Sequence, residues 1–371
     1  MRRVVLVLAI LSLFAGAALS RGEIAARRVL ELARLQSPSL GVAAIDYVVP
    51  CGTYCRSYTP HIFVTGDDHS WREVTPPHLL VAVEDVVFAT PRGGWVVAND
   101  CAAARAFFYR TRNGGHSWRR TRAPEVNCAA GSRLDVSFAD ARHGWILLVP
   151  ENGSRVGLYR TRDAGKTWKP VSKDAPLKGA IAFATPRIGW LARSDFPLPG
   201  ELYWTRDAGR SWHRRSLHLP GGWRGAKAFP DRPTFLGARG VLPVDLVRGR
   251  QSAVAFYTTA DDGRTWRLRA VRRVDFSILA MPQSPEGAFV RYVPTSIATP
   301  SIWWMVGGRK HALVAATTDA GDSWRVATAP VVGSEISAVD ARRAWLSTTR
   351  PKGALYATSN GGRTWRQLTL P

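Results

Sequence analysis

The sequence predicts an all-β protein, a single seven-bladed β-propeller built from four-stranded antiparallel blades. Three observations carry this expectation. An octapeptide ending in Trp recurs seven times, successive copies place their Trp 47, 50, 44, 54, 58 and 41 residues apart, and the segments between read as short apolar or alternating strands. That spacing is the length of a four-stranded blade rather than of a helical repeat. A hydrophobic fraction of 46% with 21% charged residues, over 371 residues, supplies a substantial core and excludes wholesale disorder.

Residues 1–20 carry Arg2-Arg3, an apolar run from Val4 to Leu19, and small residues at Ala18 and Ser20. This is the pattern of a secretory signal peptide cleaved after Ser20, and its run is shorter than the ~20 residues needed to cross a bilayer. The protein is therefore expected to be secreted or extracytoplasmic, in the cell envelope, with no transmembrane span after cleavage. In that oxidising compartment four Cys form two disulfides with three connectivities open, and sequence proximity favours Cys51 with Cys55 and Cys101 with Cys128. No paired His or second Cys-x-x-Cys accompanies them, so no metal is expected. Residues 21–38 lie outside the repeats and have helical spacing at Ile24, Leu30 and Ala33. They are expected to form a leader or short docking helix, with the propeller over 39–371.

The octapeptide starts as a degenerate copy at 65–71, then recurs at 111–118, 161–168, 205–212, 259–266, 317–324 and 358–365. Thr205-Arg-Asp-Ala-Gly-Arg-Ser-Trp212 is representative. Asp or Asn at the third position accepts bonds from amides of its own turn, Gly at the fifth supplies a positive φ, and Trp at the eighth wedges between neighbouring sheets. A second block, Phe-x-x-x-x-x-Gly-Trp, precedes it at 88–95, 138–145 and 183–190, with a weaker echo at 339–345. The blade thus reads as strand, turn, second strand from Gly-Trp, variable loop, third strand into the octapeptide, and outer strand from its Trp. Eleven of the fifteen Trp occupy these two positions, so most are structural; Trp204, Trp223, Trp303 and Trp304 lie outside them. The stretch 275–307 is longer than its counterparts, and Trp303-Trp304 replaces Gly-Trp there, so blade six is expected to be altered.

The pattern Ser/Thr-x-Asp-x-Gly-x-Thr/Ser-Trp is that of the Asp-box, or bacterial neuraminidase repeat, and the chain resembles that β-propeller superfamily. The pairing of a Gly-Trp strand with the Tyr-x-Thr block ahead of the Asp-box most resembles the photosystem II assembly and stability factor-like proteins. The resemblance implies the propeller and an assembly or binding role. The Asp-box itself recurs in sialidases, other glycosidases and sorting receptors, so it carries architecture rather than chemistry.

Catalysis finds little support. Sialidases carry an Arg-Ile-Pro motif, and the nearest string here, Arg187-Ile188-Gly189, lies in a turn of blade four. Eight acids sit in octapeptide turns, and the remaining candidates for a glycosidase pair, Asp46, Asp100, Asp135, Asp195, Glu201 and Asp245, are scattered along the chain. No zincin, nucleophile-elbow, phosphate-loop or dinucleotide motif occurs, so no cofactor and no catalytic residue are expected. A glycoside hydrolase with an atypical site is the alternative.

The 51 Lys+Arg against 28 Asp+Glu give +23, falling to +21 once the signal is removed with its two Arg. Such a field attracts anions, and export turns the expectation from nucleic acid to an acidic protein segment or an anionic envelope polymer. Six of the seven loops joining second to third strands are basic, and Arg56, Arg105, Arg155, Arg250, Lys310 and Lys352 are the candidate partner-binding residues of a monomer. The fourth loop is acidic, at Asp195 and Glu201. Basic residues also follow each Asp-box Trp, where they discourage edge-to-edge pairing of outer strands.

Overall fold

The computed structural model describes residues 27–50, 56–88, 90–100, 105–122, 133–149, 157–172, 179–193, 199–249, 251–273, 293–307, 312–331, 335–348 and 353–371. Among them seven antiparallel sheets follow one another, each built from consecutive strands. Six have four strands. The fifth has five, because Thr234–Leu236 pairs with the start of Arg239–Arg248. No helix among the described residues is long and apolar enough to cross a membrane.

The first strand of each blade lies innermost, and side chains stitch these strands to one another. Gln36 of blade one accepts from Phe88 N and donates to Val86 O of blade two. Ser137 accepts from Phe183 N, Ser296 from Ala338 N, and Ser337 donates to Leu35 O, which closes the ring from blade seven to blade one. Polar side chains thereby satisfy inner-edge backbone groups that no neighbouring strand pairs.

Blade one begins at Arg27–Ser37, a strand paired along its length with Leu40–Pro50. The leader with helical spacing expected over 21–38 is therefore corrected from residue 27 onward, and the propeller starts before residue 39. The reason is a bulge between Leu30 and Leu32. It shifts the alternation by one, so Leu30, Ala33 and Leu35 share the face toward blade seven while Leu32 packs toward blade two. A three-residue step on one face of a bulged strand looks helical in sequence.

Each of the seven apolar clusters fills one gap between adjacent blades, and each contains an Asp-box Trp at its margin: Trp71, Trp118, Trp168, Trp212, Trp266, Trp324 and Trp365. The Gly-Trp rings lie deeper, and Trp95, Trp145, Trp190 and Trp345 are buried. They reach into the next blade's Asp-box turn, where Trp145 Nε1 donates to Ala208 O at 2.9 Å and Trp95 Nε1 to Ala164 O at 3.4 Å. The Gly before Trp95, Trp145 and Trp190 leaves room for the aromatic of the first strand, since a Cβ on Gly94, Gly144 or Gly189 would meet Phe88, Phe138 or Phe183 at 2.4–2.6 Å. Blade six exchanges this pair. Trp303 occupies the Gly position opposite Ile297, which is smaller than Phe, and Trp304 takes the Trp position with Nε1 donating to Asp340 O.

The Asp-box turn is a closed hydrogen-bond unit. In blade four, Thr205 Oγ1 donates to Asp207 Oδ1 and accepts from Gly209 N, while Asp207 accepts from Ser211 N and Ser211 Oγ. Both the fourth and fifth positions are left-handed: Ala164, Ala208, Asp262 and Ala320 have φ of 58–67°, and the Gly after each has φ of 81–92°.

Candidate functional site

Of the candidate partner-binding residues, Arg56 begins the third strand of blade one and Arg105 the third strand of blade two. Arg155, Arg250, Lys310 and Lys352 lie outside the described residues, as do Cys51, Cys55, Cys101 and Cys128. Asp195 lies there as well.

Blade five shows how such a turn is built. Among the described residues its second and third strands, Arg239–Arg248 and Gln251–Thr259, are the longest such pair after blade one. Gly249 adopts φ 58° there, and Arg248 Nη2 donates to Gln251 Oε1 at 3.1 Å. The guanidinium of Arg248 lies 5.7 Å from the ring centroid of Trp223, which the connection from blade four buries against blade five. Arg273 pairs with Ala253 and points to the same face as Leu246 and Arg248. Arg248 and Arg273 are exposed on this face, whereas Lys227, opposite Val247, lies on the other face of the sheet.

Blade four differs. Glu201 accepts from Arg193 at 3.0 Å and Tyr203 at 2.9 Å, with Arg214 at 3.3 Å. The Tyr203 bond, then Arg193 and Arg214, hold its carboxyl below the usual range. Its charge is neutralised within the blade. Of the four Trp outside the repeat positions, Trp303 and Trp304 are core and Trp223 is buried; Trp204 is half-buried with Arg206 stacked 4.3 Å above its ring.

Acids and arginines pair with one another along the inner strands. Asp85, Asp135 and Glu335 occupy one register position on the first strands of blades two, three and seven, opposite Val97, Leu147 and Ser347. Asp231 of blade five bonds Pro243 at the same level. Arg34 of blade one reaches both Asp85 at 2.7 Å and Glu335 at 3.0 Å, and Arg232 of blade five crosses to Asp135 of blade three. Asp135 also accepts from Ile181 N. Sequence reading missed this set; the signal was an acid three residues before the end of the first strand, as in Asp85-Val-Val-Phe88 and Asp135-Val-Ser-Phe138.

Two acids stand apart. Asp46, 1% exposed, has neither carboxylate oxygen hydrogen-bonded; burial, then the nearby Glu31, pushes its pKa up to about 7. Burial also raises Glu31. Asp245 accepts from Val293 N at 3.1 Å, and burial, then Asp231, raises it well above the carboxylate range. No group of three or more metal-ligating side chains exists among the described residues.

Residues 123–294 match the family model for "Photosynthesis system II assembly factor YCF48". No curated protein matches the chain in sequence. Among solved structures, YCF48 from Cyanidioschyzon merolae is similar with 17% identity and a TM-score of 0.50, over 80% of this chain and 88% of that one. The GH74 xyloglucanase from Xanthomonas campestris is similar with 15% identity and a TM-score of 0.55, over 92% of this chain and 53% of its own length, so this chain spans about half of that enzyme. The β-propeller domain of the Trilobed protease from Pyrococcus furiosus, described as having an open velcro topology, is similar with 9% identity and a TM-score of 0.54, over 93% and 97%. At these identities the structural likeness is one of fold.

Proposed function

We propose that this chain, an Asp-box β-propeller resembling the YCF48 photosystem II assembly factor family, is an exported, non-catalytic scaffold that binds an acidic protein segment through its cationic second-to-third-strand turns. An anionic envelope polymer is the second ligand of the same chemistry. The observation that carries the reading is the blade-five turn, where exposed Arg248 rests on Trp223 and exposed Arg273 lies on the same face of the sheet. A cation held on an aromatic base is preordered, so less side-chain entropy is lost when a carboxylate arrives. The axial acids support the same reading, because Arg34 and Arg232 already occupy three of them.

The test is fluorescence anisotropy with a labelled acidic peptide at rising salt, for the parent and for the triple variant R105E/R155E/K310E. Binding weakens steeply with salt, and the triple variant binds at least about tenfold more weakly, or ~1.4 kcal/mol. Equal affinity for parent and variant would remove these turns as the binding site.

One observation favours the glycosidase alternative: a carboxyl with a pKa of about 7 beside a second acid is what a general acid requires. Its 1% exposure opposes it, since no substrate oxygen reaches Asp46 in this conformation. Turnover on a chromogenic glycoside panel that Asp46→Asn abolishes would establish that alternative.

A further inference from the structure

The outer strand of blade five, Arg267–Arg273, is seven residues long, while the described outer strands of the other blades have two to four. Its inner edge pairs with Gln251–Thr259, and its other edge pairs with no described strand. Free strand edges bind extended chains through backbone hydrogen bonds, and the side chains beside the edge choose which chain.

The side-chain pattern here is set by a bulge. Leu268 pairs with Tyr257 and Ala270 with Phe256, so Arg269 is the extra residue. The bulge brings Leu268 and Val271 onto one face, since both lie opposite odd-numbered partners, Tyr257 and Ala255. Both are exposed, at 43% and 36%, and are two of only six large apolar side chains so exposed among the described residues. Arg267 and Arg272 lie on the opposite face, opposite Thr258 and Val254. One face of this edge thus carries Leu268 and Val271, with Arg273 at its end, and the other carries Arg267 and Arg272 on either side of Ala270. The strand contains four Arg and no acid, and its extra residue already holds a carboxylate in two-point fashion: Arg269 donates to Asp322 Oδ1 at 2.7 Å and to Oδ2 at 2.5 Å.

We propose that this edge docks an extended segment of a partner protein as an added strand, with apolar residues alternating with acids, the apolar set against Leu268 and Val271 and the acidic set against Arg267 and Arg272. The inference rests on the scaffold reading above and adds a second contact with its own stereochemistry. Charge complementarity commits the occupant, and the alternation follows from the two-residue period of a strand.

The probe is an acetylated octapeptide of alternating glutamate and valine, compared with an analogue of equal charge carrying N-methyl groups on alternate residues. The unmethylated peptide slows amide exchange across 267–273, and the methylated analogue binds at least tenfold more weakly. The exposed double variant L268S/V271S, with an unchanged melting temperature, weakens the first peptide at least fivefold and leaves the second unaffected. Equal binding of the two peptides, or slowed exchange elsewhere with 267–273 unchanged, would overturn strand addition and leave the charge-based scaffold reading intact. Loss of the unmethylated peptide in R105E/R155E/K310E, with no effect of L268S/V271S, would move the site to the turns and sink this inference alone.

Discussion

Asp46 and Asp163 put opposite signs on the protein's response to pH. The raised Asp46 binds a proton in the folded state up to about pH 7, while its unfolded counterpart releases it near pH 4. Its contribution is therefore full below pH 4 and is lost as pH rises from 4 to 7. Asp46→Asn should raise the melting temperature at pH 8 and change it least at pH 4, with a difference of a few kcal/mol at the upper limit. A pH-independent effect of the substitution would contradict the buried, unpaired carboxyl. At Asp163, burial alone would raise the pKa, and the bonds from Thr167 and Thr161 overcome it to hold the group at about 2. That stability is present above pH 4 and is lost as pH falls toward 2. At this scale the sequence was informative about Asp163, whose turn role follows from its place in the repeat. Asp46 stood there only as one of several scattered acids, because its burial is not written in any local pattern.

The Asp-box turn is the element with the clearest local code. Asp207→Ala removes acceptors for Ser211 N, Ser211 Oγ and Thr205 Oγ1, and should cost about 1–3 kcal/mol in chemical denaturation. An effect indistinguishable from zero would reduce the repeat to a scar of duplication. The left-handed fourth position was not read in advance, because Ala there carries no signature. Ala320→Gly should therefore be neutral or stabilising by up to about 1 kcal/mol, contrary to the usual cost of Gly. In three blades the basic residue after the Asp-box Trp has a second role beyond protecting the outer edge. Arg72 donates to Gly114 O at 2.6 Å, Arg325 to Gly361 O and Arg366 to Asp68 O, each reaching the following blade's turn. Part of the positive charge thus latches blades together. Repetition exposed these positions in sequence; their acceptors appear only once the blades are side by side.

The whole ring closes without strand exchange among the described residues, since blade one and blade seven are each built from their own consecutive strands. Side chains make the joint. Trp345 of blade seven packs beneath Gly41 of blade one, its Nε1 donates to Asp68 Oδ1 at 3.1 Å, and Arg343 donates to Pro38 O at 2.8 Å. A Cβ on Gly41 would fall 1.9 Å from the Trp345 ring, whereas one on Gly66 meets only an ordinary contact at 3.5 Å. Gly41→Ala should destabilise by about 1–3 kcal/mol and Gly66→Ala by less than about 0.5, as read by urea denaturation. Equal effects would mean the first and last blades are not held by this contact.

Blade number, order and the two Trp positions were legible because they repeat. The closure, the strand over 27–37 and the axial acids were not, because each arises from a bulge or from residues brought together from different blades. The net charge of +23 likewise hid a partition: acids paired on the axis, arginines in inter-blade latches, and cations left exposed at the blade-five turn and edge. The most direct test of this division is the amide-exchange footprint of the protein saturated with an acidic polypeptide such as polyglutamate. The account predicts slowed exchange at the second-to-third-strand turns, including 248–251, and along 267–273. Slowed exchange confined to the Asp-box turns, such as 205–212, would contradict it.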